Sequence, residues 1–159
     1  MRKKPSRHID INAVKYWRYK SIIQSFFSLI ILTTCYYAAQ VWDWPQWITP
    51  VLLCLILSFA IFNIFFKPGI IWRTWRYDVT EQEIDLFYGI FIKKRTLIPM
   101  VRVQHVDTEQ GPLLRHFGLS TVSISTAAGT HKIPALSDNV ASSLRDAISE
   151  LARVVDEDV

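Results

Sequence analysis

Two long uncharged runs dominate the first half of the chain. No charged residue occurs from Ser21 to Trp42; Asp43 interrupts, and Trp44 to Phe66 is uncharged again. A helix needs about 20 apolar residues to cross a hydrocarbon core of about 30 Å. In lipid, a continuous helix is how such a run satisfies its own amides. The pattern predicts two spans, about 21–42 and 45–66, joined in a short antiparallel hairpin. The first run is too long and starts too late for a cleaved signal sequence, and a second follows at once. The alternative, a soluble helical pair, would leave both helices apolar all round.

Beyond Phe66 the period changes to two. Trp75, Tyr77 and Val79 alternate with polar neighbours; Ile84, Leu86 and Tyr88 follow, and Gly89 marks a hairpin. The pattern predicts a return strand over Phe91–Ile98, ended by Pro99, and another over Val101–Glu109. Gly111-Pro112 breaks it, with a helical turn expected over Leu113–Phe117. Strands follow over Leu119–Thr126 and, after Ala127-Ala128-Gly129, through Ile133, where Pro134 ends the run. Val140, Leu144, Ala147, Ile148, Leu151 and Val155 share one face of a final helix that Ser137 caps, with Asp138 at its positive end. A curved antiparallel sheet or partial barrel with a terminal helix against an open end is expected. The division is a flank over 1–20, a helical hairpin over 21–66 and a domain over 67–159.

Charge orients this plan. Seven basic residues and one acid lie in 1–20, and Lys67, Arg73 and Arg76 follow the second run, whereas the hairpin tip has no basic residue. The positive-inside rule places both termini in the cytoplasm. Trp42, Trp44 and Trp47 suit one interface, and Tyr16, Trp17, Tyr19, Trp72 and Trp75 the other. The domain after residue 67 is close to neutral, which argues against nucleic acid as a partner. Two cysteines in 159 residues exclude a disulfide scaffold and a Cys-rich zinc fold. With no titratable group deep in either run, transport by this chain alone is not expected.

Small residues recur at helical spacing in both runs. Ser21, Ser25, Ser28, Leu32, Cys35 and Ala39 form one stripe, and Val51, Cys54, Ser58, Ile61 and Phe65 another. Such stripes let helices approach closely in lipid. The candidate seam (Ser21, Ser25, Ser28, Cys35, Ala39, Cys54 and Ser58) serves either the two spans or another membrane protein. His105 and Asp107 point to one side of a strand, as half of a catalytic or metal pair or as a surface pair. No third ligand, nucleophile elbow or phosphate loop accompanies them. No catalytic residue, cofactor, metal or small-molecule substrate is therefore assigned, and an enzyme is not expected. Lys93, Lys94, Arg95 and Arg102, with Arg73 and Arg76, are candidate contacts to anionic lipid; a solvated, lysine-protected hairpin edge is the alternative.

The order of these motifs resembles a known family. A basic start and a two-span hairpin precede Trp75-Arg76-Tyr77-Asp78-Val79-Thr80. Then come Gly89-Ile90, Lys93-Lys94-Arg95, Ile98-Pro99, Arg102-Val103-Gln104-His105-Val106 and Leu113-Leu114-Arg115-His116-Phe117-Gly118-Leu119. This is similar to the bacterial pleckstrin-homology-like (PH-like) membrane proteins over nearly the whole chain. The resemblance implies a PH-like domain at the inner face of a bacterial cell membrane. It also implies association with a longer membrane protein that carries several such domains, and no common activity. Phosphoinositide-binding pleckstrin domains carry basic residues around the first hairpin loop, whereas this turn, Thr80-Glu81-Gln82-Glu83, is acidic. The expected function is non-enzymatic assembly with a partner membrane protein, in envelope maintenance or tolerance of membrane-active peptides. The alternative is sensing of anionic lipid.

Overall fold

The computed structural model describes residues 4–41, 45 and 47–157, with side chains through Val154. Trp42, Asp43 and Trp44 at the expected hairpin tip, and the side chain of Val155, lie outside the described residues. The chain divides into two compact units, one of residues 14–69 and one that joins residues up to Ala13 to residues 70–159.

The helical unit carries α1 (Asn12–Val41), α2 (Ile48–Ile61), a π turn (Phe62–Phe66) and the start of α3 (Lys67–Thr74). Asp10 starts α1: its carboxylate accepts from the Asn12 amide at 2.8 Å and its carbonyl from the Ala13 amide at 3.1 Å. At 1.5 Å per residue α1 is about 45 Å long, longer than the expected span because the polar stretch before Ser21 is helical too. Both helical stretches, Asn12–Val41 and Ile48–Thr74, are long and apolar enough to cross a membrane. Ser25, Ser28, Thr33, Thr34 and Ser58 each donate to the carbonyl four residues back, at 2.8 to 3.1 Å, so their hydroxyls need no partner from another helix.

Pro68 explains the π turn. Its ring nitrogen has no hydrogen, and its ring would strike the carbonyl four residues earlier. The helix widens just before it, and the Lys67 amide donates to the Phe62 carbonyl, five residues back. Such widening lets a helix pass a proline without breaking, and this one runs on to Thr74. Asn63 within the turn is buried; its amide donates to the Phe59 carbonyl at 2.8 Å, and its oxygen accepts from Lys67 Nζ at 3.0 Å.

The other unit holds two antiparallel sheets and two helices. β1 (Arg7–His8), β2 (Arg76–Val79), β3 (Glu83–Tyr88) and β4 (Lys94–Pro99) form the first sheet in that order. A 3-10 turn at Met100–Arg102 leads to β5 (Val103–Glu109), α4 (Pro112–His116), β6 (Leu119–Thr126) and β7 (Gly129–Ser137), and the second sheet has the order β5-β6-β7. α5 (Asp138–Glu157) ends the chain. Ile84, Leu86, Ile98, Val122, Ile124 and Ile133 supply the sheet side of the core, and Ala141, Leu144 and Ile148 the helix side. Burying an aliphatic side chain of this size is worth about 1.5–3 kcal/mol. Asp138 fastens α5 to the second sheet, accepting from Ser120 Oγ at 2.7 Å and Gln110 Nε2 at 2.8 Å.

Several expectations differ from the structure, among them the start of β5, at Val103 rather than Val101 because a 3-10 turn takes Met100–Arg102. Pro134 does not end β7: the pairing shifts register between Ser120 and Val122, Ala135 takes φ 53°, and the bulge absorbs the proline. The return strand begins at Lys94 rather than Phe91, because residues 89–93 form the loop. On α5 the buried face runs through Ala141, Leu144 and Ile148, leaving Val140 44% exposed and Ala147 exposed beside it.

Candidate functional site

The β3–β4 hairpin carries three of the six expected basic residues, and the fold separates them into two kinds. Arg95 lies across the sheet face that carries Asp85 and Phe87, opposite the face of the buried Ile84 and Leu86. Its Nε lies 3.0 and 3.1 Å from the two oxygens of Asp85, and its Nη2 lies 2.5 Å from Oδ2. That bidentate bond, with further attraction from Asp85 and Glu83, holds the guanidinium above its ordinary pKa. Arg95 is therefore a cross-strand clamp and not an available headgroup contact. Lys93 and Lys94 are exposed and make no ion pair among the described residues. Arg102 is exposed in the 3-10 turn, Arg73 is exposed on α3, and Arg76 is half-buried in β2, opposite Phe87 and His8.

Gly89 shapes the loop between these strands. Its φ is 124°, and a Cβ there would collide with the Ile92 carbonyl. The close turn pushes two large apolar side chains outward: Phe91 is 89% exposed and Ile92 85%, more than any described apolar residue of the long helices. At the base of the hairpin Tyr88 stacks on Trp75, with ring centres 5.2 Å apart and planes within 13°. Trp75 is the residue that follows α3. Nearby in sequence, Trp72 stacks on His8 at 5.6 Å and donates to the Ile9 carbonyl at 3.2 Å, while Lys4 lies 5.9 Å over the Phe87 ring. The sequence pattern places Phe91 and Ile92 in the return strand, whereas they lie in the loop that precedes Lys94.

On the second sheet, His105 Nε2 and Asp107 Oδ1 do come together, at 3.1 Å, with side chains 70% and 56% exposed. No cluster of three metal-capable side chains exists among the described residues. His105 borders a groove of about 680 Å³ whose walls include Val101 and Gln104 on its own side and Ser149, Ala152 and Arg153 of α5 on the other. β5 pairs only with β6 among the described strands, so its other edge is open. Its register slips between Val103 and His105, which takes Gln104 out of the ladder. Glu109, at the far end of β5, is held below its ordinary pKa by Lys132 Nζ, 2.6 Å away, and by Ser123. Burial raises the Tyr77 phenol, against an opposing pull from Arg7.

The expected helix seam divides as well. Ser21, Ser25 and Ser28 border a cavity of about 360 Å³ with Ile56, Ala60 and Asn63 of the second helical stretch. Leu32 continues that face and is buried, Ala39 is half-buried, and Cys35 is exposed. Cys54 and Ser58 are also exposed, as are Val51, Ile61 and Phe65. The second stripe therefore points away from α1; the facing side is the one that carries Asn63.

Residues 20–152 match the model of the bacterial PH domain family. The chain is 47% identical to the UPF0699 transmembrane protein YdbS of Bacillus subtilis (strain 168) across all 159 residues, the full length of both chains. No solved structure matches it.

Proposed function

The chain belongs to the bacterial PH domain family and is a membrane protein, and from that premise we propose that it is a non-enzymatic assembly component that binds a partner membrane protein. The groove between the open edge of β5 and α5 carries this reading. An extended segment can add to an unpaired strand through main-chain hydrogen bonds, with side pockets supplying selectivity. Here Val101 offers an apolar anchor, and Arg153 and His105 offer polar ones. The outward stripe of Cys54 and Ser58, with Cys35, is the corresponding contact within the bilayer. The partner we propose is a longer membrane protein with several PH-like domains, and the role is envelope maintenance or tolerance of membrane-active peptides.

Both termini lie in the cytoplasm in this reading, and the chain crosses the membrane twice. The basic flanks support that orientation. The pairing of Arg7 with Tyr77 and His8 with Arg76 supports the even number of crossings, because paired strands must share one side of the bilayer.

The test is affinity capture of the full-length chain from gently solubilised native membranes. A stoichiometric membrane protein is expected with the unaltered chain and is expected to be lost with Val101→Asp or Ala152→Arg, while hydrogen exchange of β5–β7 stays unchanged. Recovery of the chain alone, or a complex indifferent to both substitutions, overturns the assembly reading. A second reading, sensing of anionic lipid, is favoured by exposed Lys93 and Lys94.

A further inference from the structure

We propose that the β3–β4 hairpin tip is an interfacial anchor: Phe91 and Ile92 seat at the headgroup–acyl boundary of the bilayer that holds the chain, and Lys93 and Lys94 contact its anionic headgroups. The inference rests on the membrane reading but not on a protein partner. Three independent observations carry it. The two apolar side chains are the most exposed large hydrophobics described, at 89% and 85%. They are held out by a turn that only glycine permits at position 89. Basic residues follow them directly in the chain and have no acidic partner among the described residues.

Location supplies the occupant. The base of the hairpin is clamped, through Tyr88, to Trp75, one residue beyond the end of the second long apolar helical stretch. The tip begins one residue past Tyr88, so this stacking ties the base of the loop to the residue that follows that helix. Apolar side chains flanked by lysines suit that boundary, because the rings and aliphatic groups leave water while the ammonium groups remain hydrated beside phosphate. Trp72 and Trp75 are interfacial residue types in the same neighbourhood. The acidic turn at Thr80–Glu83 has the opposite character, which restricts the contact to one loop.

The experiment uses the full chain in nanodiscs of phosphatidylcholine with phosphatidylglycerol. An environment-sensitive fluorophore is attached at Ile92→Cys in a Cys35→Ser, Cys54→Ser background, and separately at Ala128→Cys in the β6–β7 turn. The expected result is blue-shifted emission at position 92 that shallow doxyl-labelled lipid quenches and aqueous iodide does not. The label at position 128 should show the reverse. Iodide-accessible emission at position 92, or a blue shift that doxyl lipid does not quench, overturns the anchor; the latter would indicate burial against protein. With Lys93→Glu and Lys94→Glu together, lipid quenching should fall, and high salt should have the same effect on the unaltered chain. Quenching indifferent to both keeps the apolar seat but overturns the headgroup contact, and with it the lipid-sensing reading. Neither result depends on whether a protein partner is captured.

Discussion

Two hairpins of the same unit solve the same backbone problem with opposite surfaces. The β6–β7 turn is closed by polar bonds: Thr126 Oγ1 donates to the Gly129 carbonyl at 2.9 Å and accepts from the Ala128 amide at 3.3 Å. Its tip is two alanines. The β3–β4 turn spans residues 89–93 and presents phenylalanine and isoleucine. Both use a glycine at positive φ, 137° at Gly129 and 124° at Gly89. Leaving an isoleucine or phenylalanine in water forgoes about 1.5–3 kcal/mol of burial. The alanine turn requires only the fold around it, whereas the apolar turn calls for something outside the chain to cover it.

The contrast can be broken first at the glycines. At Gly89 a side chain meets both the Ile92 carbonyl and a forbidden φ, while nothing lies within 4 Å of a Cβ at Gly129. Gly89→Val is expected to weaken the first sheet by about 3 kcal/mol, read as lost hydrogen-exchange protection over residues 83–99. Gly129→Ala meets backbone strain alone, about 1–2 kcal/mol, and its effect should stay within β6 and β7. Equal effects at the two positions would show that the close turn does not hold the tip. A smaller effect is expected from Asp85→Ala, which removes the carboxylate that Arg95 grips. Protection of β3 and β4 should fall, and Arg95→Lys should not restore it, because lysine lacks the two-pronged donor geometry. Unchanged exchange in both variants would return Arg95 to the set of available cations.

The smallest expected effect belongs to the sheet that carries the alanine turn. Folding lowers the Glu109 pKa, so its stabilising share is present above the unfolded carboxylate value of about 4.3 and lost as pH falls through the folded value. Hydrogen exchange of the full chain, followed from neutral pH to below that carboxylate value, should show a small decline in β5–β7 protection. Glu109→Gln should remove that decline without touching β2–β4.

Much of this architecture was legible from patterning. Uncharged runs identified both long helices, and alternation located β2, β3 and β6 to within a residue or so. What escaped were features decided by partners distant in the chain. Arg95 reads as one of three consecutive cations, and only strand register brings Asp85 beneath it. Cys54 and Ser58 have the spacing of a packing stripe, yet every helix offers several such stripes. The face that carries Asn63 and Ala60 meets α1 instead. Pro134 and Pro68 look like stops, but a bulge and a π turn carry the backbone past them. Phe91 and Ile92 have strand-forming side chains, so local preference could not reveal a loop created by Gly89. β1 is two residues long, below what any periodicity can register.

That short strand has a consequence for how the molecule is made. Arg7 and His8 complete the first sheet only when Arg76 and Tyr77 are available to pair with them, and Ile9 and Ala13 are buried within the same unit. During synthesis the leading segment must wait, unfolded, until both long helices and β2 have left the ribosome. The hairpin is thus an insertion inside the domain's own chain path. A fragment that starts after the second helix would lack an edge strand and two residues buried within the unit.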